Sequence, residues 1–130
     1  MAAALSVTIR AAVESWDLTA IDAPDGTRDP VVLHSSPEGR AVMIRLDAGQ
    51  ELGPHQVKER AWLCVVDGRA TIEAGGDSID GSPGTVVMFA PDERHAVRSD
   101  LGARVLLLLA PWPGEGHYRG GDGPRAAAGA

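Results

Sequence analysis

The feature that most constrains the fold is a series of short apolar runs, each of which ends at a turn signal of Gly, Pro or Asp. Such runs, with no clear helical stripe between them, are typical of the strands of an antiparallel sandwich or barrel. The pattern therefore predicts an all-β fold built on a small antiparallel β-barrel. The predicted strands are residues 31–34, 41–46, 61–66, 69–74, 78–79, 86–90, 95–99 and 103–110.

Two turn signals predict which of these strands are hairpin partners. Asp67-Gly68 predicts that residues 69–74 fold back on residues 61–66, and Gly75-Gly76 predicts a hairpin towards residues 78–79. We interpret the stretch around His55, which lies between a glycine turn and the run at 61–66, as a short polar loop.

The length of 130 residues, with 44% hydrophobic and 23% charged residues, fits one domain with a single core. We expect an N-terminal extension over residues 1–30, a barrel over 31–118 and a flexible tail over 119–130. In the extension, residues 5–13 fit both a strand and a helical stripe, so both remain open before the loop that follows.

The charge pattern predicts no nucleic-acid partner. The net charge is -6, and no basic cluster offers the positive patch that phosphate binding needs. The longest apolar run, residues 105–110, is too short to span a bilayer, and the N-terminus lacks the features of a signal peptide, so we expect a cytoplasmic protein without a membrane partner. The single cysteine, Cys64, lies in an apolar run and is interpreted as a small buried hydrophobe.

Two stretches, residues 49–68 and 84–99, carry the chemistry, because each combines a glycine turn, an apolar run and one histidine, His55 or His95. Their spacing resembles the two motifs of the cupin superfamily. The first cupin motif runs glycine, five residues, histidine, one, histidine, three or four, glutamate, six, glycine; Gly49, His55 and Gly68 fall in register with it. Its second histidine position is Val57, and its glutamate position is Ala61.

The second cupin motif runs glycine, five, proline, one, glycine, two, histidine, three, asparagine. Gly84 and His95 match it, while Ala90, Asp92 and Ser99 occupy its proline, glycine and asparagine positions. The resemblance implies a cupin-like jelly roll, also called a double-stranded β-helix, with a pocket inside.

The resemblance also implies which residues could hold a metal. In cupins the histidines and the glutamate of the motifs bind the ion, so here only His55 and His95 occupy ligand positions, and the site is incomplete. We expect no cofactor, with a transition metal (Zn, Fe, Ni or Mn) as the alternative if a further ligand joins them. Glu59, His117 or a bidentate substrate could supply it.

Strand alternation extends the predicted pocket from the positions that the resemblance places inside. The predicted lining comprises His55, His95, Val57, Ala61, Leu63, Val65, Val97 and Ser99. Trp62, Cys64 and Val66 then face outward, and this apolar outer face predicts a homodimer.

Three functions fit this prediction. The first is a metal-independent lyase, isomerase or cyclase acting on a small molecule, in which His55 and His95 move protons, because imidazole titrates near neutral pH. The second is a non-catalytic module that binds or senses a small ligand through the same residues. The third is a metal-dependent oxygenase with a non-standard third ligand.

Overall fold

The computed structural model describes residues 13–22 and 30–114, and within them all regular structure is β-strand. No helix in these two ranges is long and apolar enough to cross a membrane. The strands are β1 (Val31–Ser36), β2 (Gly39–Leu46), β3 (Glu51–His55), β4 (Arg60–Gly68), β5 (Ala70–Ala74), β6 (Asp77–Gly81), β7 (Val86–Phe89), β8 (His95–Arg98) and β9 (Ala103–Ala110).

The strands form two antiparallel sheets, which confirms the all-β jelly roll. The five-stranded sheet has the order β1-β2-β9-β4-β7, and the four-stranded sheet has the order β3-β8-β5-β6. Two of the three long strands of the first sheet, β4 and β9, alternate in burial. The odd-numbered residues of β4 from 61 to 65 and of β9 from 103 to 109 are buried, while their neighbours are partly or largely exposed.

The core lies between the two sheets and consists of aliphatic side chains with one phenylalanine and one tryptophan. Ala61, Val65, Ile72, Val105 and Phe89 are at most 1% exposed. Burying a side chain of this size contributes about 1.5–3 kcal/mol, so the sandwiched faces provide the main stabilisation.

The stretch around His55, predicted as a loop, is strand β3 instead. β3 pairs with β8 through Glu51, Leu52 and His55, and the register shifts between Leu52 and His55. Pro54 lies inside this irregularity, where its missing N–H removes no regular ladder bond. A proline and a preceding glycine hid the strand, because both residues usually interrupt strands.

The predicted hairpin at Asp67-Gly68 is wrong. β4 pairs with β7 and β9, whereas β5 pairs with β6 and β8, so the chain passes from one sheet to the other at this point. Gly68 has a φ of 74°. A Cβ there would lie 2.1 Å from the carbonyl oxygen of Gly102, so the corner admits only glycine. The hairpin predicted at Gly75-Gly76 does form, between β5 and β6.

The described part of the N-terminal extension, residues 13–22, is irregular with one turn. It is attached to the outer side of β9, because the Arg104 guanidinium donates to the carbonyl oxygens of Leu18 (3.1 Å) and Ile21 (2.6 Å). Most of the segment 5–13, for which strand and helix were both open, lies outside the described residues, as do His117 and the tail at 119–130.

Candidate functional site

The two motif histidines lie side by side at the rim of the four-stranded sheet. His55 ends β3, His95 begins β8, and the two residues are direct partners across the ladder. Their ring centroids are 4.3 Å apart and the ring planes meet at 61°. The fold thus brings together the pair that both motifs predicted.

Both rings are oriented in the same way by the backbone. His55 Nδ1 lies 3.0 Å from the carbonyl oxygen of Gly53, and His95 Nδ1 lies 3.1 Å from that of Glu93. A carbonyl oxygen can only accept, so each Nδ1 carries the hydrogen and donates it. In the neutral rings the lone pair is therefore on Nε2, which is the nitrogen left to accept a proton from, or bind, another molecule.

The two histidines differ in their exposure. His95 is only 4% exposed, whereas His55 is half-buried. Burial lowers the pKa of His95 from its ordinary value of 6.5, because imidazolium loses its hydration in an apolar site. The Glu93 backbone carbonyl opposes this shift, and the neighbouring His55 adds to it. His95 is accordingly a neutral base at pH 7.

An aromatic ring covers one face of His95. Phe89, the last residue of β7, stacks on the imidazole with 4.0 Å between centroids and 8° between planes. Phe89 is 1% exposed and lies opposite Ala61 on β4. The contact therefore joins the two sheets at the site.

The loop after His55 and the loop before His95 are tied together. The Asp92 N–H donates to the carbonyl oxygen of Val57 at 2.8 Å, and the Lys58 ammonium lies 2.7 Å from the Asp92 carboxylate. The Ala90 N–H donates to the Glu93 carboxylate at 3.0 Å. These contacts fix the distance between the two segments that carry the imidazoles.

Backbone conformation explains the glycines of the motifs. Gly49, Gly68 and Gly84 all have positive φ values, of 85°, 74° and 99°. Asp92, which stands at a motif glycine position, has a φ of 67°. Aspartate is among the few residues that tolerate this left-handed region, so the turn survives the substitution.

Most predicted pocket residues lie in the packed interior. Val57, Ala61, Leu63, Val65 and Val97 are all buried and belong to one hydrophobic cluster. None of them borders the grooves at the rim, on the outer face or at the opposite end of the barrel. The inward orientation predicted by alternation agrees with their burial.

Ser99 lies away from the histidines. Its hydroxyl donates to the carbonyl oxygen of Arg69 at 2.6 Å and accepts from the Gly102 N–H at 2.8 Å. It follows the far end of β8, about 13 Å along the strand from His95. Ser99 thus stabilises a corner between the sheets, and strand alternation alone could not predict these two hydrogen bonds.

The rim beside His95 opens into a groove of about 310 Å³. Pro54 and Arg94 border it together with His95, and the turn between β5 and β6 forms its other wall. The groove therefore adjoins the His95 side of the pair, whereas His55 does not border it.

The residues at the pair do not provide a full metal site. Among residues 13–22 and 30–114, no three His, Cys, Asp or Glu side chains come together as ligands. Val57 and Ala61 offer no donor atom, and a Glu59 carboxylate oxygen accepts from the Gly114 N–H at 2.6 Å. Zinc and related catalytic metals need at least three protein ligands, so we derive no step through a metal.

The segment after β9 packs onto the barrel wall. Trp112 is 7% exposed, belongs to the core cluster and lies under the Arg40 guanidinium, 4.8 Å from the ring centroid. A Cβ at Gly114 would lie 3.0 Å from the Lys58 carbonyl oxygen, which shows how closely this segment approaches the loop after His55. Trp112 does not border the rim groove.

The outer face of the five-stranded sheet is apolar, as alternation predicts. Trp62 and Cys64 are half-buried there, Leu108 is 40% exposed, and Val86 and Met88 are more than half exposed. A groove of about 690 Å³ runs over this face. Cys64 thus lies on the outer face, as alternation predicts, and is half-buried rather than buried as its apolar run suggested.

The site and the fold can now be compared with known proteins. No protein-family model matches the sequence, and no curated protein matches it in sequence. Solved structures do match. An RmlC-like cupin protein from Desulfovibrio desulfuricans superposes with a TM-score of 0.69 and 25% identity, over 76% of this chain and 97% of the other. The fold is that of the cupins.

Two further structures agree with this assignment. A cupin superfamily protein from Desulfitobacterium hafniense has a TM-score of 0.66 and 17% identity, over 72% of this chain and 85% of the other. KdgF from Halomonas sp. has a TM-score of 0.62 and 23% identity, over 72% and 90%. The resemblance to cupins that the two motifs indicated is thus confirmed for the fold.

Sequence reasoning missed Phe89 and the rim groove. Phe89 is the single phenylalanine of the chain and ends the apolar run that precedes His95. The run placed it on a predicted strand, but its contact with His95 depends on how β7 and β8 of the two sheets meet.

Proposed function

We propose that this cupin-fold protein catalyses proton transfer on a small organic molecule without a metal. The observation that carries the proposal is the contact between two imidazoles whose Nδ1 atoms are both held by backbone carbonyls. That arrangement leaves two Nε2 lone pairs in one site, where a ring that accepts a proton at Nε2 can return the proton to another atom of the bound molecule.

His95 is the base in this proposal. Its lowered pKa keeps it neutral near pH 7. Nε2 takes a proton from an acidic carbon of the substrate, and the electron pair of the broken C–H bond stays on the substrate as an enolate. The His95 imidazolium then returns the proton from Nε2 to another carbon or to the oxygen of the enolate, which restores the neutral base, while the His55 ring lies against it at 4.3 Å. The net reaction is an isomerisation, and it needs no oxidant or reductant.

The size of the rim groove favours a small substrate. Its volume of about 310 Å³ lies at the lower end of ligand pockets, which span about 300–1,000 Å³. Arg94, which borders the groove, offers a cation to an acidic substrate. Small carbonyl compounds with an acidic C–H therefore fit both the size and the chemistry.

The test is hydrogen–deuterium exchange of such compounds in D2O. Compounds that shift the His95 signals in NMR spectra are selected first, and the loss of their C–H signal is then followed over time. We expect exchange about 100-fold or more above buffer, because positioned general bases contribute about 10²–10⁴-fold. The His95→Gln variant should lose this rate, and His34→Gln, at an exposed position on β1, should keep it.

The non-catalytic binding module makes the opposite prediction. Compounds would then bind next to the pair without C–H exchange, and His95→Gln would weaken binding only. Exchange that persists in His95→Gln would also contradict the proposed base.

We further propose that a second copy of the chain covers the apolar outer face. The five strands and the eight residues of β9 give a sheet face of about 24 by 27 Å, or roughly 650 Å² if the face is treated as flat. That is close to the roughly 800 Å² per partner of a standard protein interface. Val86 and Met88 at the β7 edge extend this apolar surface.

A further inference from the structure

The contact between Phe89 and His95 is not a by-product of strand pairing. Phe89 ends β7 in the five-stranded sheet, while His95 begins β8 in the four-stranded sheet. The bend between them is held by the Glu93 carboxylate and by the Asp92 N–H. Side chains from two different sheets thus meet face to face, with only 8° between their planes.

We propose that Phe89 is a positioning residue that fixes the plane of the His95 imidazole. The bond from Nδ1 to the Glu93 carbonyl holds one edge of the imidazole but leaves its plane free to tilt. A flat ring at 4.0 Å removes this freedom and excludes water from that face. Together the two contacts define the direction in which Nε2 points.

The third contact completes the cage around His95. The His55 ring meets the His95 ring at 61°, whereas Phe89 is nearly parallel to it. Tilting His95 would therefore open the Phe89 stack and change the contact with His55 at the same time. An aliphatic side chain could fill the same volume, but it presents no flat face and would not select one plane.

This inference rests on the proposed function in so far as His95 transfers protons, and the test separates the two. The variant is Phe89→Leu, which keeps the site apolar. The matched control is Ile72→Val, which trims a fully buried aliphatic residue on β5 that pairs with Val97. Two readouts are compared: the NMR signals of His95 in the free protein, and the exchange rate of the selected C–H compounds in D2O.

In Phe89→Leu we expect the His95 ring protons to lose the upfield displacement caused by the stacked ring. The pKa of His95 should rise towards 6.5 as water reaches the exposed face. The exchange rate should fall about tenfold or more, because a displaced base is poorly aligned. Ile72→Val should leave all three quantities as in the unmodified protein.

If Phe89→Leu left the His95 shifts and titration as Ile72→Val leaves them, Phe89 would only fill space and the inference would be overturned. If no compound exchanged even with the unmodified protein, the proposed function would fail. The NMR readouts would still decide whether Phe89 positions His95, because they require no substrate.

Discussion

Asp92 offers a sharp test of how the loops that carry the two histidines are held. Its φ of 67° lies in the left-handed region, which costs most residues about 1–2 kcal/mol and glycine almost nothing. Asp92→Gly and Asp92→Ala both remove the carboxylate that pairs with Lys58. The comparison between these two variants therefore isolates the backbone conformation from the salt bridge.

We expect Asp92→Gly to be about 1 kcal/mol more stable than Asp92→Ala. With a dependence on urea of about 1–3 kcal/mol per molar, the unfolding midpoints should differ by about 0.3–1 M. Losing the Lys58 pair should cost both variants less than about 1 kcal/mol, because the Asp92 side chain is 50% exposed and the charges are screened. An alanine variant as stable as the glycine variant would refute the strained turn.

Three further predictions concern stability and assembly. The pKa of His95 is lower in the folded protein than its ordinary value of 6.5, so the contribution of His95 to the free energy of unfolding is complete above pH 6.5 and is lost as the pH falls below that value. The variant His95→Gln lacks this group, so its free energy of unfolding should fall less on acidification. Gly68→Ala should destabilise by about 2 kcal/mol or more in urea unfolding, since its Cβ would lie 2.1 Å from the Gly102 oxygen; a loss below about 1 kcal/mol would contradict the tight corner. Met88→Glu should shift the protein from dimer to monomer in analytical ultracentrifugation, whereas Leu101→Glu, at an 80% exposed loop position, should not; equal behaviour would exclude the outer face as the interface.

Much of the fold could be predicted because its strands are short and bounded by turn residues. The run at 61–66 alternates in burial as strand geometry and the motif positions predict, and the run at 103–110, predicted as a strand, alternates as well. β3 could not be predicted, because Gly53 and Pro54 look like loop residues and are accommodated by a local shift in register. The pairing of β5 with β8 was also hidden, since Asp67-Gly68 carries the same residues as a hairpin turn but serves as a corner.

The candidate site was only partly readable from the sequence. Motif spacing located His55 and His95, because proteins that share a fold place the same motif positions at the same strand ends. The roles of Ser99 and Phe89 depend on contacts between different strands: the Ser99 hydroxyl donates to the Arg69 carbonyl oxygen, and the Phe89 ring stacks on His95. Such contacts follow from tertiary packing, which local periodicity does not encode.

The most direct test of the central claim is the protonation state of His55 and His95, measured by long-range ¹H–¹⁵N NMR across a pH titration. The account predicts that near pH 7 the His95 ring is neutral and has its lone pair on Nε2. It also predicts that each of the two rings donates its Nδ1–H to a backbone carbonyl oxygen. It also predicts that His95 titrates below 6.5. A hydrogen on Nε2 of His95, or a His95 pKa above 6.5, would contradict its role as the base.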